Sequence, residues 1–196
     1  MVSLSDGILV KKFLKGDNSS FEEIVKRYEK KIYNIAYRIM NNQEDASDVL
    51  QETFIQAFRK LSGFKGKSEF STWLYRIVVN ICLMKKRKGK QMKVVSLDAP
   101  LVTQKEDELR RELPEDWSKS PSATLDNKEL KENINRAISM LPEDYRTTFI
   151  LRDMNDVSTE DTAKILNISV PAVKSRLHRA RLFLREELSK YFQEHV

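Results

Sequence analysis

The fold of this chain is decided by residues 45–88, DASDVLQETFIQAFRKLSGFKGKSEFSTWLYRIVVNICLMKKRK. Two amphipathic helical patterns flank a short loop, residues 62–67, that is rich in Gly and Lys. In each pattern the apolar residues recur three and four positions apart, which is the spacing of a helix with one buried face. We therefore expect two helices that pack through their apolar stripes and leave their other faces available for function.

The first helix is predicted to leave a polar face outside. Its buried stripe comprises Ala46, Val49, Leu50, Phe54, Ala57, Phe58 and Leu61. Its outer face carries a polar patch with one aliphatic residue in the middle, namely Asp48, Gln51, Glu52, Ile55, Gln56 and Arg59. Single exposed apolar residues are normal, so spacing alone leaves open that this patch is an ordinary solvated surface.

The second helix is predicted to combine aromatic and cationic side chains on its outer surface. Its buried stripe comprises Phe70, Leu74, Ile77, Ile81 and Met84, widened by Trp73 and Val78. At about 100° per residue, the opposite face holds Thr72, Tyr75, Arg76, Val79, Leu83, Lys86 and Arg87, next to the basic run 85–88. Such a surface suits an unpaired nucleic-acid strand, whose bases stack on aromatic rings while cations follow the phosphates. The alternatives are a core position for Trp73 and a merely solvated basic run.

These residues resemble the second conserved region of bacterial sigma factors of the extracytoplasmic-function (ECF) type. The resemblance rests on DVLQE at 48–52, FSTWLYRI at 70–77, and Asn80 with the basic run after it. It implies that Asp48, Gln51, Glu52, Ile55 and Gln56 bind the clamp coiled coil of core RNA polymerase. It also implies promoter −10 contacts by Phe64, Lys65, Lys67, Ser68, Trp73, Tyr75, Arg76, Asn80, Lys86 and Arg87. One departure is Met84, where the family often has an acidic residue.

Composition favours a helix-rich protein of one or two domains. The 196 residues are 40% hydrophobic and 33% charged, with five Gly. No apolar run has the length of a membrane span, and the N-terminus lacks the order of a signal peptide, so we expect a cytoplasmic protein. The single cysteine, Cys82, excludes a disulfide within the chain and a Cys-rich zinc site, and it is expected to be a partly buried hydrophobe.

Charge is distributed in three blocks along the chain. Residues 1–95 hold 19 Lys and Arg against 10 Asp and Glu, a net charge of +9. Residues 96–125 carry −3, and residues 126–196 are balanced at 12 of each. The basic N-terminal block fits a polyanionic partner such as nucleic acid.

The first domain is predicted to span residues 1–93 as a helical bundle. A short helical pattern covers residues 4–15, and Ser20 with Glu23 is typical of a capping box that opens a long second helix. Asn41 and Asn42 end that helix. Residues 94–125 contain Pro100, Pro114, Pro121 and Trp117 and lose the helical periodicity, which indicates an extended linker.

The second domain, residues 126–196, is predicted to contain a helix-turn-helix. Pro142 is expected to open one helix at its first position, and Ser158 to cap another over 159–166. After a short turn, Ser169 is expected to cap a long helix from residue 170 to about residue 191. A helix, a turn of three or four residues and a longer basic helix form the arrangement that binds the DNA major groove.

The faces of the long helix sort by chemistry. Val173, Leu177, Ala180 and Leu184 form the buried stripe. Opposite them lie the residues expected to face base edges, Pro171, Ala172, Ser175, His178 and Arg179, and on the flanks those expected near phosphates, Lys174, Arg176 and Arg181. A solvated basic face is the simpler alternative, but the turn, the caps and the sorted faces coincide, which favours DNA binding.

The sequence VKSRLHRAR at 173–181 resembles the fourth conserved region of the same sigma family, which reads the −35 element. The two resemblances together predict an all-α protein of two helical domains joined by an extended linker. The sequence has no Gly-rich phosphate loop, no nucleophile elbow and no histidine at metal-ligand spacing, so we expect no enzymatic activity, no cofactor and no metal site. They imply three partners: promoter DNA, the clamp coiled coil and flap of core RNA polymerase, and an anti-sigma factor, through which alone a membrane contact would arise. A DNA-binding regulator without polymerase and an RNA-binding protein are the rivals, and neither needs the Ile55 patch.

Overall fold

The computed structural model describes residues 4–94 and 127–194, with side chains over 4–88 and 132–190. The described residues are helical, without β-strands, which confirms the predicted all-α fold with an N-terminal bundle and a C-terminal helix-turn-helix. The helices are α1 Asp6–Leu14, α2 Ser19–Met40, α3 Gln43–Lys60, a 3-10 helix Leu61–Gly63, α4 Phe70–Val94, α5 Asn127–Met140, α6 Glu143–Arg152, α7 Thr159–Leu166 and α8 Val170–Glu194. The predicted linker and Trp117 lie outside the described residues. No helix in the described ranges is long and apolar enough to cross a membrane.

Helix α2 is the centre of the N-terminal bundle, because α1, α3 and α4 all pack against it. Its predicted apolar stripe is buried, and Ile24, Ile32 and Ile39 are completely inaccessible to solvent. The Asp6 carboxylate ties α1 to α2 by accepting hydrogen bonds from Arg27 and the Tyr28 hydroxyl, each at 2.5 Å. Burial of apolar surface on all three sides of α2 is therefore the main source of stability in this part of the chain.

The predicted capping box at the start of α2 is wrong. The helix begins at Ser19, and the carboxylate of Asp17 accepts from the Ser19 backbone N–H at 3.1 Å and from the hydroxyls of Ser19 and Ser20 at 2.6 and 2.8 Å. These hydrogen bonds lower the pKa of Asp17. Ser20 donates to a carboxylate instead of accepting from the helix, because Asp17 already supplies the stronger acceptor.

The break between α2 and α3 is confirmed at the predicted pair of asparagines. Asn41 ends α2 with a left-handed backbone, φ 58°, which Asn tolerates better than most residues. Asn42 caps α3, since its Oδ1 accepts from the Asp45 backbone N–H at 2.9 Å.

The C-terminal helices pack around α8, which contacts α5, α6 and α7. The predicted stripe of Val173, Leu177, Ala180 and Leu184 is buried. Both predicted serine caps are confirmed: Ser158 Oγ accepts from the Asp161 N–H at 3.0 Å, and Ser169 Oγ from the Ala172 N–H at 3.3 Å. Pro142 lies at the N-cap of α6, one residue before its predicted place.

The two groups of helices also pack against each other. Helices α5 and α6 contact α2, and α7 contacts α4. Ile150, Leu151, Val157 and Ile165 belong to the same cluster of buried side chains as the N-terminal core. This packing between the two groups of helices was not predicted from the sequence.

Replacement of the α3 cap is expected to destabilise the protein. Asn42→Ala removes the acceptor for the Asp45 N–H and should lower the free energy of unfolding by about 1 kcal/mol. Ser47→Ala is the matched control in the same helix. The Ser47 hydroxyl donates to the Gln43 carbonyl, which already belongs to the helix, and Ala is the better helix former. Urea unfolding followed by circular dichroism measures both, and an equal loss for the two variants would contradict the capping role.

The thiol of Cys82 is expected to be inert in the folded protein. It is completely buried, and burial raises its pKa to about 12. Because the thiolate is the reactive form, a maleimide should modify native Cys82 at least about 100-fold more slowly than the urea-unfolded chain. Equal rates in the two states, measured by intact-mass spectrometry, would show that this part of α4 opens freely.

Candidate functional site

A groove of about 660 Å³ lies between α3 and the C-terminal half of α4. All five residues predicted to bind polymerase line it from α3, namely Asp48, Gln51, Glu52, Ile55 and Gln56. Helix α4 supplies the facing wall with Ile81, Met84, Lys85, Arg87 and Lys88. The structure therefore gathers the predicted residues into one surface and adds a second wall that sequence reasoning missed.

The polar groups of the groove are held by neighbouring side chains. Lys85 Nζ lies 3.0 Å from a carboxylate oxygen of Asp48 and 3.6 Å from one of Asp45, which joins α4 to α3. Gln56 Nε2 donates to Glu52 Oε1 at 2.9 Å. These contacts restrict the rotamers of Asp48, Glu52 and Gln56, so a partner meets them in a defined arrangement.

Two apolar side chains stand out in this polar groove. Ile55 is 44% exposed and Met84 is 67% exposed. The prediction that Met84 belongs to the buried stripe of α4 is wrong, because Met84 lines the open groove instead. Exposed apolar residues surrounded by polar groups are typical of a protein–protein contact.

Phe64, Phe70 and Trp73 form an aromatic cluster where the loop meets α4. The Phe64 ring lies 5.3 Å from Trp73 and 5.7 Å from Phe70, centroid to centroid, and Phe70 lies 5.5 Å from Trp73. Trp73 is half-buried against the core, so it is neither wholly core nor wholly exposed. Lys65 and Lys67 are exposed beside the cluster, and Ser68 is half-buried.

The outer surface of α4 divides into two strips. One strip is open, with Asn80 and Arg87 exposed and Arg76 half-buried. The Nε of Arg76 is buried and has no hydrogen-bond partner within the described part of the chain, so this atom is not accessible to a ligand on the open strip. Aromatic, amide and cationic groups are thus available together on this strip.

The second strip is covered, contrary to prediction. Tyr75 is 5% exposed, Thr72 is 7% exposed and Val79 is inaccessible. At the end of the same strip, Lys86 Nζ lies 3.9 Å from a carboxylate oxygen of Glu143 in α6. Burial, followed by the carboxylates of Asp6 and Asp156, raises the pKa of Tyr75. The predicted outer position of Thr72, Tyr75 and Val79 is wrong, because other helices pack over this strip of α4.

The exposed face of α8 agrees with the sequence. Pro171, Lys174, Ser175 and His178 are exposed, and Ala172 is half-buried. Arg179 is half-buried and donates to the Tyr145 hydroxyl of α6 at 3.1 Å. Tyr145 thus orients a side chain that is predicted to meet base edges, a role that sequence reasoning missed.

The two predicted flanking arginines are held by acids of the same domain. Arg176 lies 2.9 Å from Asp144, and Arg181 forms a bidentate pair with Asp153 at 2.8 and 2.7 Å, which raises the pKa of Arg181. These contacts explain why the strongly basic α8 sits in a domain of balanced charge. The equal numbers of acidic and basic residues in 126–196 were the signal in the sequence that acidic side chains would lie against α8.

The two groups of helices match known family models in the same order. Residues 24–91 match Sigma-70 region 2, and residues 131–184 match Sigma-70, region 4. The chain is also 36% identical over 179 residues to the ECF RNA polymerase sigma factor SigW of Bacillus subtilis, covering 91% of this chain and 94% of that protein. The chain belongs to the ECF RNA polymerase sigma factors. Members of this family are transcription initiation factors that direct RNA polymerase to promoters.

Other relatives agree with this ECF sigma factor assignment. The ECF RNA polymerase sigma-E factor of Escherichia coli K12 is 35% identical over 178 residues, 91% of each chain. Two solved structures share the fold: the sigma factor RpoE in complex with the anti-sigma factor NepR from Bartonella quintana, and CnrH in complex with the cytosolic domain of CnrY. The first has TM-score 0.62 and 24% identity over 86% of this chain and 96% of that one. The second has TM-score 0.64 and 23% identity over 94% and 97%.

Proposed function

We propose that this ECF sigma factor binds core RNA polymerase through the groove between α3 and α4. The observation that carries the proposal is that Asp48, Gln51, Glu52, Ile55 and Gln56 share one preorganised surface with Met84 of α4. The mixture of exposed aliphatic and fixed polar groups suits a helical partner such as the clamp coiled coil. The acidic pair Asp48 and Glu52 would meet cations of that partner.

The −10 strand is proposed to bind next to this groove, on the open strip of α4 and the preceding loop. Phe64 and Trp73 offer aromatic surface, Lys65, Lys67 and Arg87 are exposed cations, and Arg76 is a half-buried cation on the same strip. Unpaired bases stack on such rings while the phosphates follow the cations. Asn80, at the centre of the strip, is suited to a base edge, whereas Tyr75 is buried and Lys86 is paired with Glu143, so the proposal does not use them.

The −35 duplex is proposed to bind α8. Exposed Pro171, Ser175 and His178 and the oriented Arg179 would face base edges, and exposed Lys174 the phosphates. Arg176 and Arg181 would act mainly by fixing α8 against α6, since Asp144 and Asp153 hold them. We place residues 1–93 and 126–196 in separate domains for these two tasks.

Regulation is proposed to come from an anti-sigma factor, as in the complexes of RpoE with NepR and of CnrH with CnrY. We further propose that the protein acts in the cytoplasm, with its polymerase, and contributes recognition without catalysis of its own.

The docking proposal is tested by run-off transcription with purified core RNA polymerase and a promoter fragment selected by the wild-type holoenzyme. Gln51→Ala/Glu52→Ala should reduce specific transcripts at least about tenfold, since hot-spot truncation costs 2 kcal/mol or more. Arg59→Ala is the matched control, because Arg59 is exposed on the same helix but outside the groove. Wild-type protein that binds the promoter but never recruits polymerase would favour a plain DNA-binding regulator.

The proposed roles of Arg179 and Lys174 are tested by measuring the binding of −35 duplexes that differ from one another at single base pairs. Arg179→Ala should cost about 1 to 3 kcal/mol and relax the preference at one base pair, because a bidentate base contact is lost. Lys174→Ala should weaken binding to all sequences alike and reduce the salt dependence. Equal losses on every sequence for both variants would remove the assignment of Arg179 to base readout.

A further inference from the structure

We propose that the cleft between α2 and α5 binds a nucleoside diphosphate, with Arg38 and Arg136 on the two phosphates and the base on the ring of Tyr37. The cleft shares no lining residue with the groove and the strips proposed for polymerase and promoter DNA, so the proposal does not depend on them. It gives this sigma factor a small-molecule ligand of its own.

The cleft has a volume of about 280 Å³ and a lining rich in hydrogen-bond donors. It is lined from α2 and its end by Tyr37, Arg38 and Asn41, and from α5 by Asn135, Arg136, Ile138 and Ser139. Two guanidiniums and two amides thus border one space, and no acidic side chain belongs to the described lining. Sites for small molecules commonly enclose about 300 to 1,000 Å³, so the cleft fits a compact ligand that leaves one end outside.

The two arginines of the cleft have no counter-ion in the described part of the chain. Arg38 is half-buried, and burial lowers its pKa without a carboxylate to offset the effect. Its place in the last turn of α2 accounts for one cation, because the helix dipole favours it there. The dipole does not account for the second guanidinium, Arg136, on the other wall. Like charges in one cleft repel each other, and an anion bound between them removes the repulsion.

A third guanidinium favours an anion at the α5 wall. The Nη2 of Arg146 donates to the backbone carbonyls of Ser139 and Leu141, at 2.5 and 2.7 Å, where α5 ends. Such carbonyls carry the negative end of a helix dipole, and Ser139 lines the cleft. Arg146 therefore offsets the partial charge that would otherwise repel a phosphate from this end of the cleft.

Tyr37 supplies an aromatic surface of fixed orientation. Its side chain is 37% exposed, and its ring lies almost parallel to that of Tyr33, at 6° and 6.2 Å between centroids. Tyr33 is half-buried against the core, so the pair restricts the rotation of the Tyr37 ring. A nucleobase stacks well on a ring that is already held in place, because little side-chain entropy is lost on binding.

The combination of groups favours a nucleoside diphosphate over a simpler anion. A guanidinium donates two parallel hydrogen bonds to one phosphate, so two arginines match two phosphates. The amides of Asn41 and Asn135 offer further donors on either wall. Inorganic pyrophosphate would use the arginines and leave Tyr37 unoccupied, so the base should add affinity.

The site is tested by isothermal titration calorimetry of the full chain in about 0.15 M salt, with GDP, ADP, UDP, CDP and inorganic pyrophosphate as probes. At least one of the nucleotides should bind at a single site. Arg38→Gln and Arg136→Gln should each weaken its binding at least about tenfold, since each removes charge-assisted hydrogen bonds to a phosphate. Tyr37→Ala should weaken nucleotide binding and leave pyrophosphate binding unchanged, whereas Tyr37→Phe should preserve both.

Arg59→Gln is the matched control, because Arg59 is exposed on α3 and lies outside the cleft. Thermal unfolding followed by circular dichroism checks that each variant is folded. Saturating nucleotide should raise the unfolding temperature of wild type and Arg59→Gln but not of Arg136→Gln. If Arg38→Gln does not fold, Arg38→Lys replaces it: Lys keeps the charge but loses the bidentate geometry, so it should bind the nucleotide more weakly than wild type.

Four results would overturn the proposal. Wild-type protein that binds none of the four nucleotides leaves the cleft without this ligand. Equal weakening by Arg59→Gln and Arg136→Gln would show general attraction to a basic chain. Equal affinity for pyrophosphate and for the nucleotides would show an anion site without a base. Displacement of the nucleotide by a short single-stranded DNA would assign the cleft to nucleic acid instead of a free nucleotide.

Discussion

Burial of the apolar stripe of α2 is the constraint on which the other helices depend. Ile24, Ile32, Ile35 and Ile39 recur along the 22 residues of this helix and are almost completely buried. One neighbour cannot cover so long a stripe, so α1, α3 and α4 pack around it, and α5 and α6 approach it from the second domain. The positions of α3 and α4, and hence the groove between them, follow from the way they share α2.

Ion pairs between the helices orient the side chains of the functional surfaces. Lys85 joins α4 to Asp48 of α3, Asp144 and Asp153 hold two arginines of α8, and Lys86 reaches Glu143 across the domains. Exposed pairs of this kind contribute little free energy each, commonly below about 1 kcal/mol. Their value here is orientation, because they determine which cations remain available to nucleic acid and which belong to the protein's own architecture.

The site was predictable to the extent that it lies on one helix. The outer face of α3 and the exposed face of α8 each follow from a single periodicity, and both lie where the sequence predicted them. The α4 wall of the groove, with Met84 and Lys85, was missed because it depends on how α3 and α4 pack against each other. The role of Tyr145 was missed for the same reason, since its hydroxyl meets Arg179 across two helices.

The helices, the breaks at Asn41 and Asn42, the caps of Ser158 and Ser169 and the family could all be predicted from the amino-acid sequence. These features arise from hydrogen bonds and apolar spacing among residues a few positions apart, which a linear pattern records. Only the tertiary structure decided that Thr72, Tyr75 and Val79 are covered while Asn80 stays open. The burial of these residues depends on helices elsewhere in the chain, and the periodicity of α4 carries no information about which of its faces such partners will cover.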